Sequence, residues 1–152
     1  MIQEIKDKEK KKEIAKKILL DLPEWFGIEE YTNDYIETSG DLPFFAVLHE
    51  QNDYIGFVSL KETSPYTAEI YCMGILKVYH KKGYGRQLYS AIEKYAADAG
   101  YKFMQVKTVK QGTYDNYDKT NAFYKNMGFY ELEVFPELWD DWNPCQVYVK
   151  SL

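Results

Sequence analysis

The sequence predicts an α/β domain built on a mixed sheet, and three features of the chain say so. Apolar runs of strand length take turns with apolar stripes at helical spacing from one end to the other. A four-residue loop, Glu50 to Asp53, joins two of the strands, whereas a later pair is separated by a whole helix, so antiparallel and parallel pairing share one sheet. A long apolar strand also passes through a glycine turn directly into an amphipathic helix. The expected order is β-α-α-β-β-β-α-β-α-β-β, a single domain over residues 1–152.

Ile2 to Lys6 reads as a short strand, and Asp7 is placed to cap a helix reaching about Leu20, with Ile14, Ile18 and Leu22 as its buried stripe. Pro23 prevents its continuation. A second helix is predicted from Ile28 to about Thr38, ended by Ser39-Gly40. Phe44 to His49 and Tyr54 to Leu60 form an antiparallel hairpin, and Ala68 to Leu76 makes the long strand before the glycine turn. After the turn, Leu88, Ile92, Tyr95, Ala96 and Ala99 recur at helical spacing up to Gly100, which suits the left-handed position beyond a helix end. Phe103 to Thr108 is the next strand, parallel to the one before it. A helix carrying Thr120, Phe123, Tyr124 and Met127 then runs to Gly128. Phe129 to about Phe135 and Gln146 to Lys150 are the last strands, with a loop rich in aromatics and acids between them.

At 152 residues and 45% hydrophobic, the chain has material for one ordinary core. No apolar run nears the roughly 20 residues that cross a bilayer, and the N-terminal segment is charged, unlike a signal peptide, so the cytoplasm is the expected compartment. Cys72 and Cys145 are far apart and lack a matching set of histidines, so neither a metal site nor a disulfide framework is expected. The net charge of −5 argues against a broad nucleic-acid surface. The lysines between Lys6 and Lys17 alternate with acids and read as the solvated face of a helix.

The chemistry concentrates in Met73-Gly-Ile-Leu-Lys-Val-Tyr-His-Lys-Lys-Gly-Tyr-Gly-Arg-Gln-Leu88. The first N–H groups of a helix have no intrahelical partner and sit at the positive end of its dipole, so a helix start can ligate a phosphate. Gly83 and Gly85 would let a ligand approach the backbone, and Lys81, Lys82 and Arg86 add positive charge. A lone Gly-x-Gly also fits an ordinary strand-to-helix turn. Leu88 stands where a dinucleotide fingerprint wants its third glycine, and the Gly-Lys-Ser/Thr of a P-loop is absent.

The segment His80-Lys-Lys-Gly-Tyr-Gly85 resembles the coenzyme A signature of the GNAT acetyltransferase superfamily, Gln/Arg-x-x-Gly-x-Gly/Ala, with histidine departing from the pattern at the first position. Asn121-Ala-Phe-Tyr-Lys-Asn-Met-Gly-Phe129 is similar to a later motif of that family, and the element order is similar to its fold. The resemblance implies acetyl-CoA as cosubstrate, no metal, and splayed central strands with the pantetheine arm between them. It assigns the backbone of Met73 and Ile75 to that arm and to the thioester. It assigns the amides of Lys81, Lys82, Gly83, Tyr84, Gly85 and Arg86 to the pyrophosphate, with His80 beside them contributing ring or backbone.

The same resemblance makes Tyr124 the general acid toward the departing thiolate. It makes Glu69 the general base, acting through water because the four residues to Met73 span about 13 Å of strand. Strand parity puts Glu69, Tyr71, Met73 and Ile75 on one face; a solvent-facing glutamate at a strand end is the alternative for Glu69. Trp25, Phe26 and Tyr31, accompanied by Glu24, Glu29, Glu30 and Asp34, fall where the family covers its acceptor, and Glu137-Leu-Trp-Asp-Asp-Trp142 has the same character. Carboxylates and aromatic faces suit a small cationic primary amine as partner. Neither nucleic acid nor membrane is expected as a partner, and a homodimer is left open. Two other readings share the fold: an acyl-CoA-binding module without catalysis, and a toxin acetylating aminoacyl-tRNA, which the acidic balance disfavours.

Overall fold

The computed structural model describes all 152 residues. Its strands are β1 (Ile2–Glu4), β2 (Phe44–His49), β3 (Asp53–Ser64), β4 (Thr67–Ile75), β5 (Phe103–Val109), β6 (Tyr130–Asp140) and β7 (Asn143–Ser151), and its helices are α1 (Lys8–Leu20), α2 (Glu29–Ser39), α3 (Tyr84–Asp98) and α4 (Asp115–Asn126). The strands form one sheet in the order β1-β2-β3-β4-β5-β7-β6. Only β4 and β5 pair in parallel, across α3, as the crossover predicts.

Two apolar layers sandwich the sheet. On one side Leu88, Tyr89, Ile92 and Ala96 of α3 pack with Tyr124 and Met127 over Val58, Ile70, Met104 and Val106. On the other, Ile14, Ala15, Ile18 and Leu19 of α1 and Ile36 of α2 cover Phe44, Phe57 and Cys72, with the rings of Phe44 and Phe57 stacked 5.1 Å apart. Asp7 caps α1 by accepting from the Lys10 N–H at 2.8 Å, a contact worth about 1 kcal/mol. One lysine of the N-terminal run leaves the solvated face: Lys11 is buried, and its ammonium donates to the Leu42 carbonyl at 2.7 Å.

Two expectations are corrected. The aromatic and acidic segment 137–142 is not a loop, because β6 continues to Asp140 and turns tightly into β7; the Asp140 carboxylate accepts from the N–H groups of Trp142 and Asn143 at 2.9 Å and closes that turn. The parity of β4 also breaks. Ser59 faces Cys72 while Leu60 faces Ile70, which leaves Tyr71 as an extra residue in a bulge. Beyond the bulge, Met73 and Ile75 share the α3 side with Ile70, whereas Tyr71 packs with the α1–α2 layer. Glu69 therefore does not share a face with Met73 and Ile75.

Candidate active site

β4 and β5 part company midway. Their pairing runs from Thr67 opposite Phe103 to Ile70 opposite Val106 and stops there, although β4 continues to Ile75 and β5 to Val109. On its other edge β4 stays paired with β3, and the Leu76 N–H donates to the Ile55 carbonyl. Because successive residues of a strand turn their N–H and C=O to opposite sides, Met73 and Ile75 point theirs into the gap. A cavity of about 1150 Å³ occupies the gap and extends to both sides of it.

The glycine turn closes one end. Lys81 and Gly83 both adopt left-handed backbone, with φ of 62° and 87°. At Gly83 that geometry lets the chain enter α3 without the penalty a Cβ would bring. The first bond of α3 is from the Gln87 N–H to the Gly83 carbonyl, so the N–H groups of Tyr84, Gly85 and Arg86 are left over at the helix start. A Cβ on Gly85 would lie 3.1 Å from the Phe123 ring and 3.8 Å from the Met73 methyl, which explains the need for the smallest residue where turn, α4 and β4 converge. Lys81, Arg86 and Lys119 bring positive charge to the cavity wall. A helix start, an open strand edge and three cations fit a diphosphate joined to an amide-bearing arm.

Tyr124 of α4 also lines the cavity, next to Phe123, which packs on Gly85. Burial, with a smaller contribution from the neighbouring Cys72 thiol, raises its pKa well above the ordinary phenol range, so it holds its proton at neutral pH. Its helix is fixed by Asn121, which is fully buried and donates to the carbonyls of Val109 at 2.9 Å and Tyr117 at 2.7 Å while accepting from the Tyr148 hydroxyl.

The other end is aromatic. Trp25, Phe26, Tyr31 and Tyr35 come from the α1–α2 region, Tyr71 from the β4 bulge and Trp139 from β6. Tyr35 packs edge-on between Phe26 and Tyr71 at 5.8 and 5.2 Å. Asp34 contributes an exposed carboxylate to this wall, whereas Glu24 is paired with Lys77, whose ammonium holds its pKa below the usual range.

The structure thus gathers Trp25, Phe26, Tyr31, Met73, Ile75, His80, Lys81, Gly83, Tyr84, Gly85, Arg86 and Tyr124 around one cavity. Lys82 turns aside, its ammonium 5.6 Å from the Tyr79 ring. Glu69 also lies off the cavity: its carboxylate accepts from Gln105 at 2.9 Å and pairs with Lys107 at 3.2 Å, and Lys107 is the member of this trio on the cavity wall. Tyr35, Tyr117, Phe123 and Lys119 were not foreseen as site residues. The i, i+4 spacing from Tyr31 to Tyr35, and Tyr117 one helical repeat before Tyr124, are the sequence signals that place them on the same helix faces.

The model of the acetyltransferase (GNAT) family matches residues 11–129, and the chain belongs to that family. No curated protein sequence matches it. Among solved structures, a protein from Desulfovibrio desulfuricans assigned to the GNAT family superposes with a TM-score of 0.85 at 14% identity, covering 99% of this chain and 98% of that one. An aminoglycoside 6'-N-acetyltransferase complexed with coenzyme A gives 0.76 at 16%, covering 99% and 96%. A GNAT acetyltransferase from Elizabethkingia anophelis with acetyl-CoA bound gives 0.66 at 20%, covering 86% and 88%. The mixed seven-stranded sheet with four helices is the acyltransferase fold that these structures share.

Proposed function

We propose that this protein moves an acetyl group from acetyl-CoA to a primary amine, both held in one ternary complex, and that the acceptor is a small cation. One observation carries the reading: a single cavity is lined by the free amides of a helix start, a protonated phenol and an aromatic wall with a free carboxylate. Acetyl-CoA supplies an activated acyl group on a thiol leaving group. The residues supply the rest.

The leftover amides of Tyr84, Gly85 and Arg86, with Lys81 and Lys119, hold the diphosphate. The N–H groups of Met73 and Ile75 anchor the arm, and the one near Met73 donates to the thioester carbonyl as negative charge builds there. Tyr124 keeps its proton until the sulfur leaves and then gives it up. Glu69 receives the ammonium proton through water running past Lys107, since its carboxylate does not reach the cavity. At the acceptor end, Asp34 and the faces of Trp25, Phe26 and Tyr31 attract a cationic amine. The aminoglycoside acetyltransferase among the structural neighbours is in keeping with such an acceptor.

The test is to incubate the protein with acetyl-CoA and a panel of spermidine, an aminoglycoside, a lysine peptide and neutral amines, following thiol release and acetylated product by mass. Turnover confined to neutral or anionic acceptors would refute the cationic substrate. Thermal stabilisation by CoA with no turnover of any amine would make the protein a binding module instead.

A further inference from the structure

The segment after α1, Asp21 to Phe26, is tied to both rims of the cavity. On the rim of the glycine turn, the Asp21 carboxylate accepts from the Lys77 N–H at 2.8 Å, Glu24 pairs with the Lys77 ammonium, and the Trp25 indole stands edge-on to the His80 ring with centroids 5.9 Å apart. On the rim of α4, Asn116 donates to the Glu24 carbonyl and the Tyr117 hydroxyl to the Trp25 carbonyl, both at 3.0 Å, while the Trp25 indole N–H donates to Thr120 Oγ1 at 3.2 Å. Trp25 is where the phosphate turn meets the helix that carries Tyr124.

His80 connects this tryptophan to β4. Its Nε2 lies 2.6 Å from the carbonyl oxygen of Ile75, one of the groups that point into the gap. With Nε2 protonated, the ring donates to that carbonyl and takes one of its two acceptor positions. The same bond fixes the ring against Trp25.

We infer that His80 is a positioning residue for the acceptor wall: closed on the Ile75 carbonyl and braced against Trp25, it sets the amine end of the cavity relative to the phosphate turn. This rests on the acetyl-transfer reading above. Glutamine or arginine at the same motif position can donate to a carbonyl but presents no imidazole edge to Trp25, so the brace belongs to this chain's departure from the motif.

Two measurements test it, hydrogen exchange on the free protein and steady-state kinetics with the best acceptor of the panel. In His80→Ala the amides of Trp25 and Phe26, which bond to the Leu22 carbonyl at 3.1 and 2.9 Å, should exchange about tenfold faster while α3 is unchanged. The KM for amine should rise about fivefold, with that for acetyl-CoA within about twofold. His80→Phe keeps a ring without the donor, and His80→Gln keeps a donor without the ring. Phe should recover more of the amine KM than Gln does, and this pair decides the matter if the alanine variant does not fold. The inference is overturned if acetyl-CoA KM rises as much as amine KM, if Gln equals wild type while Phe does not, or if exchange at residues 25 and 26 does not change. Wild-type protein that acetylates no amine would sink the acetyl-transfer reading instead, leaving exchange to judge the brace.

Discussion

The two ends of the cavity are built on different principles. The proposed phosphate end comes mainly from one contiguous stretch, Met73 to Arg86, with Lys119 of α4 added, and the groups offered there are main-chain amides whose direction is set by a strand edge, a left-handed glycine and a helix start. The acceptor end is assembled from side chains of four distant segments, the α1–α2 region, the β4 bulge, α4 and β6. Backbone sites tolerate exchange of most side chains and demand particular φ values; side-chain sites tolerate backbone variation and change specificity with each residue. That contrast fits a family with a common cofactor and varied acceptors.

Removing the Tyr124 hydroxyl should have the largest effect. Tyr124→Phe is expected to lower kcat about a hundredfold while CoA affinity by calorimetry changes little, because in the proposed mechanism the hydroxyl serves the leaving sulfur, whereas the ring still packs. An unchanged kcat would remove Tyr124 from the chemistry. Next, Gly83→Val puts a β-branched residue at φ 87° and should weaken CoA binding about tenfold with amine KM unaffected. Smaller still, Asp34→Asn should raise the KM of a cationic amine about threefold and leave acetyl-CoA KM alone, since one exposed carboxylate in a distributed wall contributes modestly. If Asp34→Asn raised both KM values equally, the division into two ends would be wrong.

The gentlest probe is alkali. Burial pushes the Tyr117 phenol up to about 12 from an ordinary 10.0, and Tyr148 is likewise pushed up to about 12. The folded pKa is the higher one, so the stability from keeping these phenols neutral is whole below pH 10 and is lost as pH rises through 12. Urea midpoints should therefore hold steady up to about pH 10 and then fall, and Tyr117→Phe should make that fall shallower. Tyr117 also donates to the Trp25 carbonyl, so the acceptor wall is expected to loosen before α3 does.

Much of this molecule was legible from its residues because much of it is local. Asp7 as a cap, Gly100 and Gly128 past helix ends, the hairpin between β2 and β3, and the amides at the start of α3 each follow from a few adjacent residues. The Tyr71 bulge was not legible, since one residue inserted against Ser59 and Leu60 is a property of two strands together, and it separated Glu69 from Met73 and Ile75. Segment 137–142 reads as a loop because its alternation is poor; in the fold the strand carries on to Asp140, which pairs with Asn143 across the turn after a break in register beyond Phe135.

By itself, then, the chain determined its element order, the apolar stripes of its helices and the glycine turn that opens α3, all of which depend on periodicity and on backbone freedom at individual positions. Only tertiary structure decided which side chains face one another: that Glu69 is held by Gln105 and Lys107, that His80 closes on Ile75, and that Trp25 bridges the glycine turn and α4. Contacts between residues tens of positions apart depend on strand register and helix docking, and neither is encoded in any short window of sequence.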